Sequence, residues 1–148
     1  MKKYISWKDY HRLLVGLYFK IKSANIKFSY IVGIENGGLN LSVPLANEFN
    51  CPHKSLKISF YDDNIKKDIP VIESNLTFNE DDYFLLVDDI VDSGSTIFEF
   101  SKYTKMLQHK NFLIVTLHWN PNGVYKIRPD FFCQFKEEID WIVYPWEM

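Results

Sequence analysis

At 148 residues, with 47% hydrophobic residues and a formal net charge of −2, the chain is expected to form a single domain, residues 1–148, with a proper core. Its near-neutral balance gives no reason to expect nucleic acid or an anionic membrane as a bulk partner. No apolar run reaches transmembrane length, Met1-Lys2-Lys3-Tyr4 opens no signal-peptide core, and Cys51 and Cys133 have no metal-like spacing, so a reduced cytoplasmic setting is the default.

Ser6-Trp7-Lys8-Asp9 has the form of a helix start, with Ser6 as N-cap and Asp9 in a capping-box-like position. Trp7, Tyr10, Leu13, Leu14, Leu17, Tyr18 and Ile21 recur at helical spacing and predict one apolar, core-facing stripe through about Ser23. Phe28 to Ile34 carries strand-type bulk, and Glu35-Asn36-Gly37-Gly38 breaks it before a helix-like stretch from Leu39 to Phe49. Pro44 in that stretch requires a first-turn position or a kink. A glycine pair between strand and helix lets backbone approach a ligand closely, though alone such a pair is no more than a turn. Leu56 to Tyr61 alternates as a strand, the polar residues 62–68 predict a loop, and Val71-Ile72 a short strand before a turn near Asn79 to Asp82.

Tyr83-Phe84-Leu85-Leu86-Val87 is an apolar run with the character of a buried parallel strand. Asp88 and Asp89 stand where that strand should stop, followed by Ile90, Val91, Asp92 and then Ser93-Gly94-Ser95-Thr96. A strand feeding a glycine turn and a helix grips phosphate well, because the helix start offers free N–H groups and the positive end of its dipole. Ser93, Ser95 and Thr96 add neutral donors, Gly94 permits the tight turn, and no Walker-type lysine is present. Asp88 and Asp89 are placed to receive sugar hydroxyls or a hard divalent cation. A surface turn would account for Gly94 and Ser95, but not for two carboxylates at the strand end and a third on the loop.

Thr96 to Lys110 predicts a helix with Lys102, Lys105, His109 and Lys110 toward its C-terminal half, where cations favour the dipole. Phe112 to His118 predicts a strand, Asn120-Pro121-Asn122-Gly123 a turn, and the tail from Ile139 to Met148 is apolar and aromatic. His11, His53 and His109 read as surface or helix residues, and His118, at a strand end, stays open.

Leu86-Val87-Asp88-Asp89-Ile90-Val91-Asp92-Ser93-Gly94-Ser95-Thr96 resembles the phosphoribosyl pyrophosphate signature of the type I phosphoribosyltransferases. Tyr30 to Leu39 is similar to that family's pyrophosphate-binding loop, with Asn36 where the family usually has arginine or lysine. Residues 62–68 match its mobile loop, where Lys66 and Lys67 either meet pyrophosphate on closure or are solvated lysines. Trp141-Ile142-x-x-Pro145-Trp146-Glu147 resembles the C-terminal segment of the xanthine-guanine branch, so the likeness spans essentially the whole chain.

The resemblance implies an α/β fold with a mainly parallel sheet, helices on both faces and a small hood built from the chain ends. It implies transfer of ribose 5-phosphate from phosphoribosyl pyrophosphate to a purine, with magnesium, in a homo-oligomer. By the same resemblance Asn36 and Gly37 meet pyrophosphate, Asp88 and Asp89 the ribose hydroxyls, and Ser93, Gly94, Ser95 and Thr96 the 5-phosphate. Asp89 is the candidate magnesium contact and Asp92 the candidate general acid/base. Trp141 would stack on the purine, with backbone contacts near Ile142. Asn120 aligns with the branch's 6-oxygen-binding lysine, or merely begins its Asn-Pro turn. A second reading is a protein of this fold that binds the ligand as a regulator without turnover. Neutral Asn36 favours it, and the intact base-binding tail favours the enzyme.

Overall fold

The computed structural model of the protein describes residues 1–74, 76–79, 81–104 and 111–148. In chain order the elements are β1 (Lys2–Tyr4), α1 (Trp7–Ser23), β2 (Tyr30–Glu35), α2 (Leu39–Phe49), β3 (His53–Asp62), β4 (Ile65–Glu73) and β5 (Phe84–Val87). There follow β6 (Ile90–Val91), α3 (Ser95–Thr104), β7 (Phe112–Val115), β8 (His118–Trp119), β9 (Gln134–Phe135), β10 (Trp141–Val143) and a closing 3-10 turn, Pro145–Glu147. The expected stretch of helix bearing Lys105, His109 and Lys110 lies outside the described residues. Among the described residues no helix is long and apolar enough to cross a membrane.

The main sheet has the order β4-β3-β2-β5-β7, parallel throughout except that β4 runs antiparallel to β3. Its central strands are continuous apolar runs because both faces are covered. In β5, Leu85 and Val87 pack with Leu17 and Ile21 of α1 and Leu41 and Leu45 of α2, whereas Phe84 and Leu86 pack with Ile97 and Phe100 of α3. The period-two alternation of a strand thus divides one short segment between two cores. This is the mainly parallel, helix-flanked α/β architecture expected.

The chain ends form the expected hood. β1 and β10 pair in parallel, Lys2 opposite Trp141 and Tyr4 opposite Val143. Trp7, Tyr10 and Trp146 meet there as an aromatic cluster with ring centroids 5.2 to 6.4 Å apart. Asp9 N–H donates to Ser6 Oγ at 3.1 Å, as the N-cap reading requires. The buried stripe of α1 is narrower than its periodicity suggested: Leu17 and Ile21 are fully buried, while Trp7 is 58% exposed at the rim.

One expectation is narrowed and two need correction. Pro44 is the sixth residue of α2, inside the helix, which excludes the first-turn position of the two places open to it. The carbonyl that a residue-44 N–H would have bonded is that of Asn40, and the Tyr10 hydroxyl donates to it instead. Residues 62–68 are not a loop: after a two-residue turn at Asp63-Asn64 they enter β4, which pairs with β3, Asp62 opposite Ile65 and Lys57 opposite Glu73. Lys66 and Lys67 are therefore exposed residues of an edge strand, where charge deters edge-to-edge pairing. The strand expected from Phe112 to His118 is broken at Thr116-Leu117 into β7 and β8, and β8 joins β6 and β9 in a second, three-stranded parallel sheet.

Candidate functional site

The chain leaves β2 toward β3 on one side of the main sheet and leaves β5 toward β7 on the other. Between β2 and β5 the strand order reverses, and there the loops at the strands' C-terminal ends diverge and open a crevice. The two loops that meet at that point are Glu35-Asn36-Gly37-Gly38 and the stretch from Asp88 to Thr96.

Their contact is close. A Cβ on Gly37 would stand 2.0 Å from Asp89 Oδ2 and 2.5 Å from its Cγ, and one on Gly38 would stand 2.3 Å from the Val87 carbonyl oxygen. Glycine at both positions brings the first loop onto the acidic pair. The Glu35–Asn36 peptide is cis, and the Asn36 side chain is exposed.

Asp88 and Asp89 are half-buried where β5 ends. Asp89 N–H donates to Asp88 Oδ1 at 2.9 Å, and Asp88 N–H continues the sheet to the Val115 carbonyl at 3.1 Å. The Asp89 carbonyl accepts from Leu117 N–H at 3.1 Å, His118 N–H at 3.3 Å and Tyr144 Oη at 3.0 Å. The backbone under the acids is thus pinned from the second sheet and from the tail. Burial pushes the Asp88 carboxyl well above the carboxylate range, with the Asp89 charge adding to it. Burial, then the negative charge of Glu147, raises Asp89 to about 6. Such crowded carboxylates suit a divalent cation. Among the described residues no group of three or more His, Cys, Asp or Glu side chains could hold a metal, so an ion here would take most of its ligands from a bound molecule and water.

Past Ile90–Val91, which pair with β8, the chain enters the phosphate-type turn. Gly94 has φ +86°, in the left-handed region that glycine tolerates, and a Cβ there would stand 2.9 Å from Ile127 Cγ1. Ser93 Oγ accepts from Ser95 N–H at 3.2 Å and donates to Ser95 Oγ at 2.9 Å, and α3 starts at Ser95. Residues Asp88 to Ile97 line a cleft of about 220 Å³ with the α3 N-terminus at its edge, an arrangement able to hold an anion.

Asp92 is held by one oxygen. Asn120 Nδ2 donates to Asp92 Oδ1 at 2.9 Å, and Lys136 Nζ stands 3.2 Å from the same atom. Asn120 also forms its turn: its Oδ1 accepts from Asn122 N–H at 3.0 Å and its carbonyl from Gly123 N–H at 3.2 Å. With donor and acceptor both engaged, the Asn120 amide cannot flip to suit one ligand group or another. Lys136 was not anticipated. In sequence it heads Lys136-Glu137-Glu138, which has the look of a solvated run; no local pattern marks it.

The open question about His118 is resolved by burial. His118 is completely buried, its Nδ1 lies 2.7 Å from Tyr144 Oη, and burial lowers its pKa to about 4. It is a neutral ring joining the second sheet to the tail, not a base-contacting group. Tyr144 stacks on Trp146 with centroids 4.7 Å apart. Trp141 is 67% exposed, so its indole is not core, while the adjacent Ile142 is buried.

A family model described as the phosphoribosyl transferase domain matches residues 6–148. The xanthine-guanine phosphoribosyltransferase of Idiomarina loihiensis is 28% identical over 149 aligned residues, covering 98% of this chain and 86% of that one. The crystal structure of the purine phosphoribosyltransferase from Pyrococcus horikoshii superposes with a TM-score of 0.82 at 30% identity, covering 99% of this chain and 95% of that one. The Helicobacter pylori xanthine-guanine-hypoxanthine phosphoribosyltransferase shares the fold, with a TM-score of 0.78 at 22% identity over 100% of this chain and 95% of the other.

Proposed function

The chain belongs to the phosphoribosyl transferase domain family, a family of glycosyltransferases, and from that premise we propose that it is a purine phosphoribosyltransferase acting on 6-oxopurines in base salvage. It transfers ribose 5-phosphate from phosphoribosyl pyrophosphate to a purine ring nitrogen and releases pyrophosphate. The observation that carries the reading is the seating of Gly37 on Asp89 at the reversal of strand order, beside the Ser93–Thr96 turn. It brings a pyrophosphate-type loop, a sugar-type acid pair and a phosphate cradle to one crevice. The purine names of the Idiomarina and Pyrococcus relatives support the choice of base.

In this reading the backbone at the start of α3 and the hydroxyls of Ser93, Ser95 and Thr96 bind the 5-phosphate. Asp88 and Asp89 accept the ribose hydroxyls, their positions set by the three donors on the Asp89 carbonyl. Gly37 and Asn36 border the pyrophosphate. Asp89 would be the protein contact for a magnesium ion, which when bound would supply charge neutralisation for the departing group. The transition state has oxocarbenium character, so these residues act by holding sugar and base in line while charge separates. Asp92 Oδ1 is taken by Asn120 and Lys136, which leaves Oδ2 to exchange a proton with the base. The exposed face of Trp141 stacks on the purine, and the backbone at Ile142 meets its edge.

The test is pyrophosphate release from phosphoribosyl pyrophosphate and magnesium in the presence of hypoxanthine, guanine, xanthine or adenine. Turnover with the 6-oxopurines is expected. Binding of phosphoribosyl pyrophosphate with no release for any base would overturn the enzyme and leave a ligand-binding regulator.

A further inference from the structure

Lys136 is 8% exposed. Lysine is almost never buried without a specific partner, because its ammonium is strongly hydrated. Its backbone N–H donates to the Trp119 carbonyl at 2.8 Å, one residue beyond the β8–β9 pairing, and anchors it beside the site. Its Nζ contacts Asp92 Oδ1 at 3.2 Å and the Glu137 carbonyl at 3.4 Å. An ammonium has three N–H donors, so one proton remains after these two. As a staple between tail and loop the pair would be a poor stabiliser: the lysine loses its hydration while the Asp92 side chain stays 45% exposed and its charge screened by solvent, and Asn120 already holds the same oxygen.

The two side chains reach that oxygen from different parts of the chain, Asn120 from the turn after β8 and Lys136 from the residue after β9. Position 120, where a cation would have been expected from the resemblance, is neutral, and the cation on Asp92 comes from position 136. On the edge of a purine that presents N7, the 6-substituent is the neighbouring group, an acceptor when it is oxygen and a donor when it is an amino group. An ammonium beside a carboxylate that serves N7 has only donors to offer and so discriminates between the two.

We propose that Lys136 is the specificity-determining residue of the base site: fixed on Asp92 Oδ1, it turns its remaining N–H to the purine 6-substituent and selects oxygen over an amino group. The proposal rests on the purine phosphoribosyltransferase reading and adds to it the group that makes the choice.

The experiment compares kcat/KM for hypoxanthine and for adenine in the unmodified protein and in Lys136→Met, Lys136→Gln and Lys136→Arg, with folding checked by thermal melts. Loss of one charge-assisted hydrogen bond predicts a fall of about tenfold to a hundredfold for hypoxanthine in Lys136→Met. The fall should appear mainly in the KM of the base, with adenine changed less. Lys136→Gln, whose amide can donate or accept, should narrow the hypoxanthine-to-adenine ratio as well. It keeps the test open if the methionine variant does not fold. Lys136→Arg should preserve the preference. Equal losses for both bases, or an unmoved ratio in either neutral variant, would overturn the proposal while leaving the enzyme reading intact. Absence of turnover with every purine in the unmodified protein would instead overturn the reading on which it rests.

Discussion

Gly37→Ala tests the contact between the two loops most directly. The added methyl carbon would stand 2.0 Å from Asp89 Oδ2 and 2.5 Å from Asp89 Cγ, far inside any tolerated contact. Relief requires a displacement of about 1 Å or more, and the atoms that can give are those of the carboxylate, since the backbone beneath it is held by Leu117, His118 and Tyr144. Forced overpacking of this kind costs about 1–3 kcal/mol of stability, whereas moving a substrate-holding group by about 1 Å costs about a hundredfold in rate. The variant should therefore melt cooperatively at a moderately reduced temperature, yet lose about two orders of magnitude in kcat/KM for phosphoribosyl pyrophosphate. Gly38→Ala is the contrast. Its methyl meets only backbone, the Val87 oxygen at 2.3 Å and the Ile34 oxygen and nitrogen at 2.6 and 2.8 Å, so the loss should fall on folding itself. Coupled pyrophosphate assays, titration calorimetry and urea melts read the two effects separately. A folded Gly37→Ala protein with undiminished affinity for magnesium and phosphoribosyl pyrophosphate would refute the reasoning.

Three further outcomes are expected. Gly16 sits in α1 with no atom within 4 Å of its would-be Cβ, so Gly16→Ala should stabilise the protein by up to about 1 kcal/mol in a urea melt, and any destabilisation would contradict it. The folded-state pKa of Asp89 is raised from its ordinary value of 3.8 to about 6, so the native state keeps a proton that the unfolded chain has released. That contribution is present at low pH and is lost as pH rises from about 4 through about 6. The unfolding free energy of the unmodified protein minus that of Asp89→Asn should accordingly fall across the window, with magnesium reversing the fall; a flat difference would show the carboxylate to be unperturbed. Asn36→Arg places a cation on an exposed loop position and should tighten pyrophosphate in the reverse reaction by up to a few kcal/mol; weaker binding would mean the loop serves another ligand.

What could be read from the sequence was what is local in it. The stretch from Leu86 to Thr96 has strand, acids, glycine turn and helix start in consecutive residues, so its chemistry needs no tertiary knowledge. The apolar run Tyr83 to Val87 was legible as a buried parallel strand, while the rest of the mainly parallel sheet was implied by the resemblance. Only the end of β4, Val71-Ile72, was legible as strand; its first half was not, because Lys66, Lys67 and Asp68 carry the polarity of a loop and an edge strand has little burial to impose alternation. The position of Pro44 depended on the Tyr10 hydroxyl reaching the Asn40 carbonyl, thirty residues away from it in the chain, which no helix rule contains. The environment of Asp92 was the least legible. Asn120 could be aligned but not oriented, and Lys136 turns inward only because its N–H extends the pairing of two very short strands. A charged run cannot announce which of its members will be covered.

The pairing of β1 with β10 has a consequence for how the molecule is made. Lys2 to Tyr4 precede the main sheet in the chain, and their partners, Trp141 to Val143, follow it. On the ribosome, β2, β3, β5 and α3 emerge long before the hood can close. The loops after β2 and β5 can thus assemble in a nascent chain that still lacks β10, because long-range pairing of this kind waits on its later partner. An appendage at Met1 meets the same constraint, since the Met1 carbonyl accepts from Trp141 N–H at 2.7 Å. A fusion placed there would act first on the strand that carries Trp141, and under the proposed function would show itself as altered base affinity while affinity for phosphoribosyl pyrophosphate stayed the same.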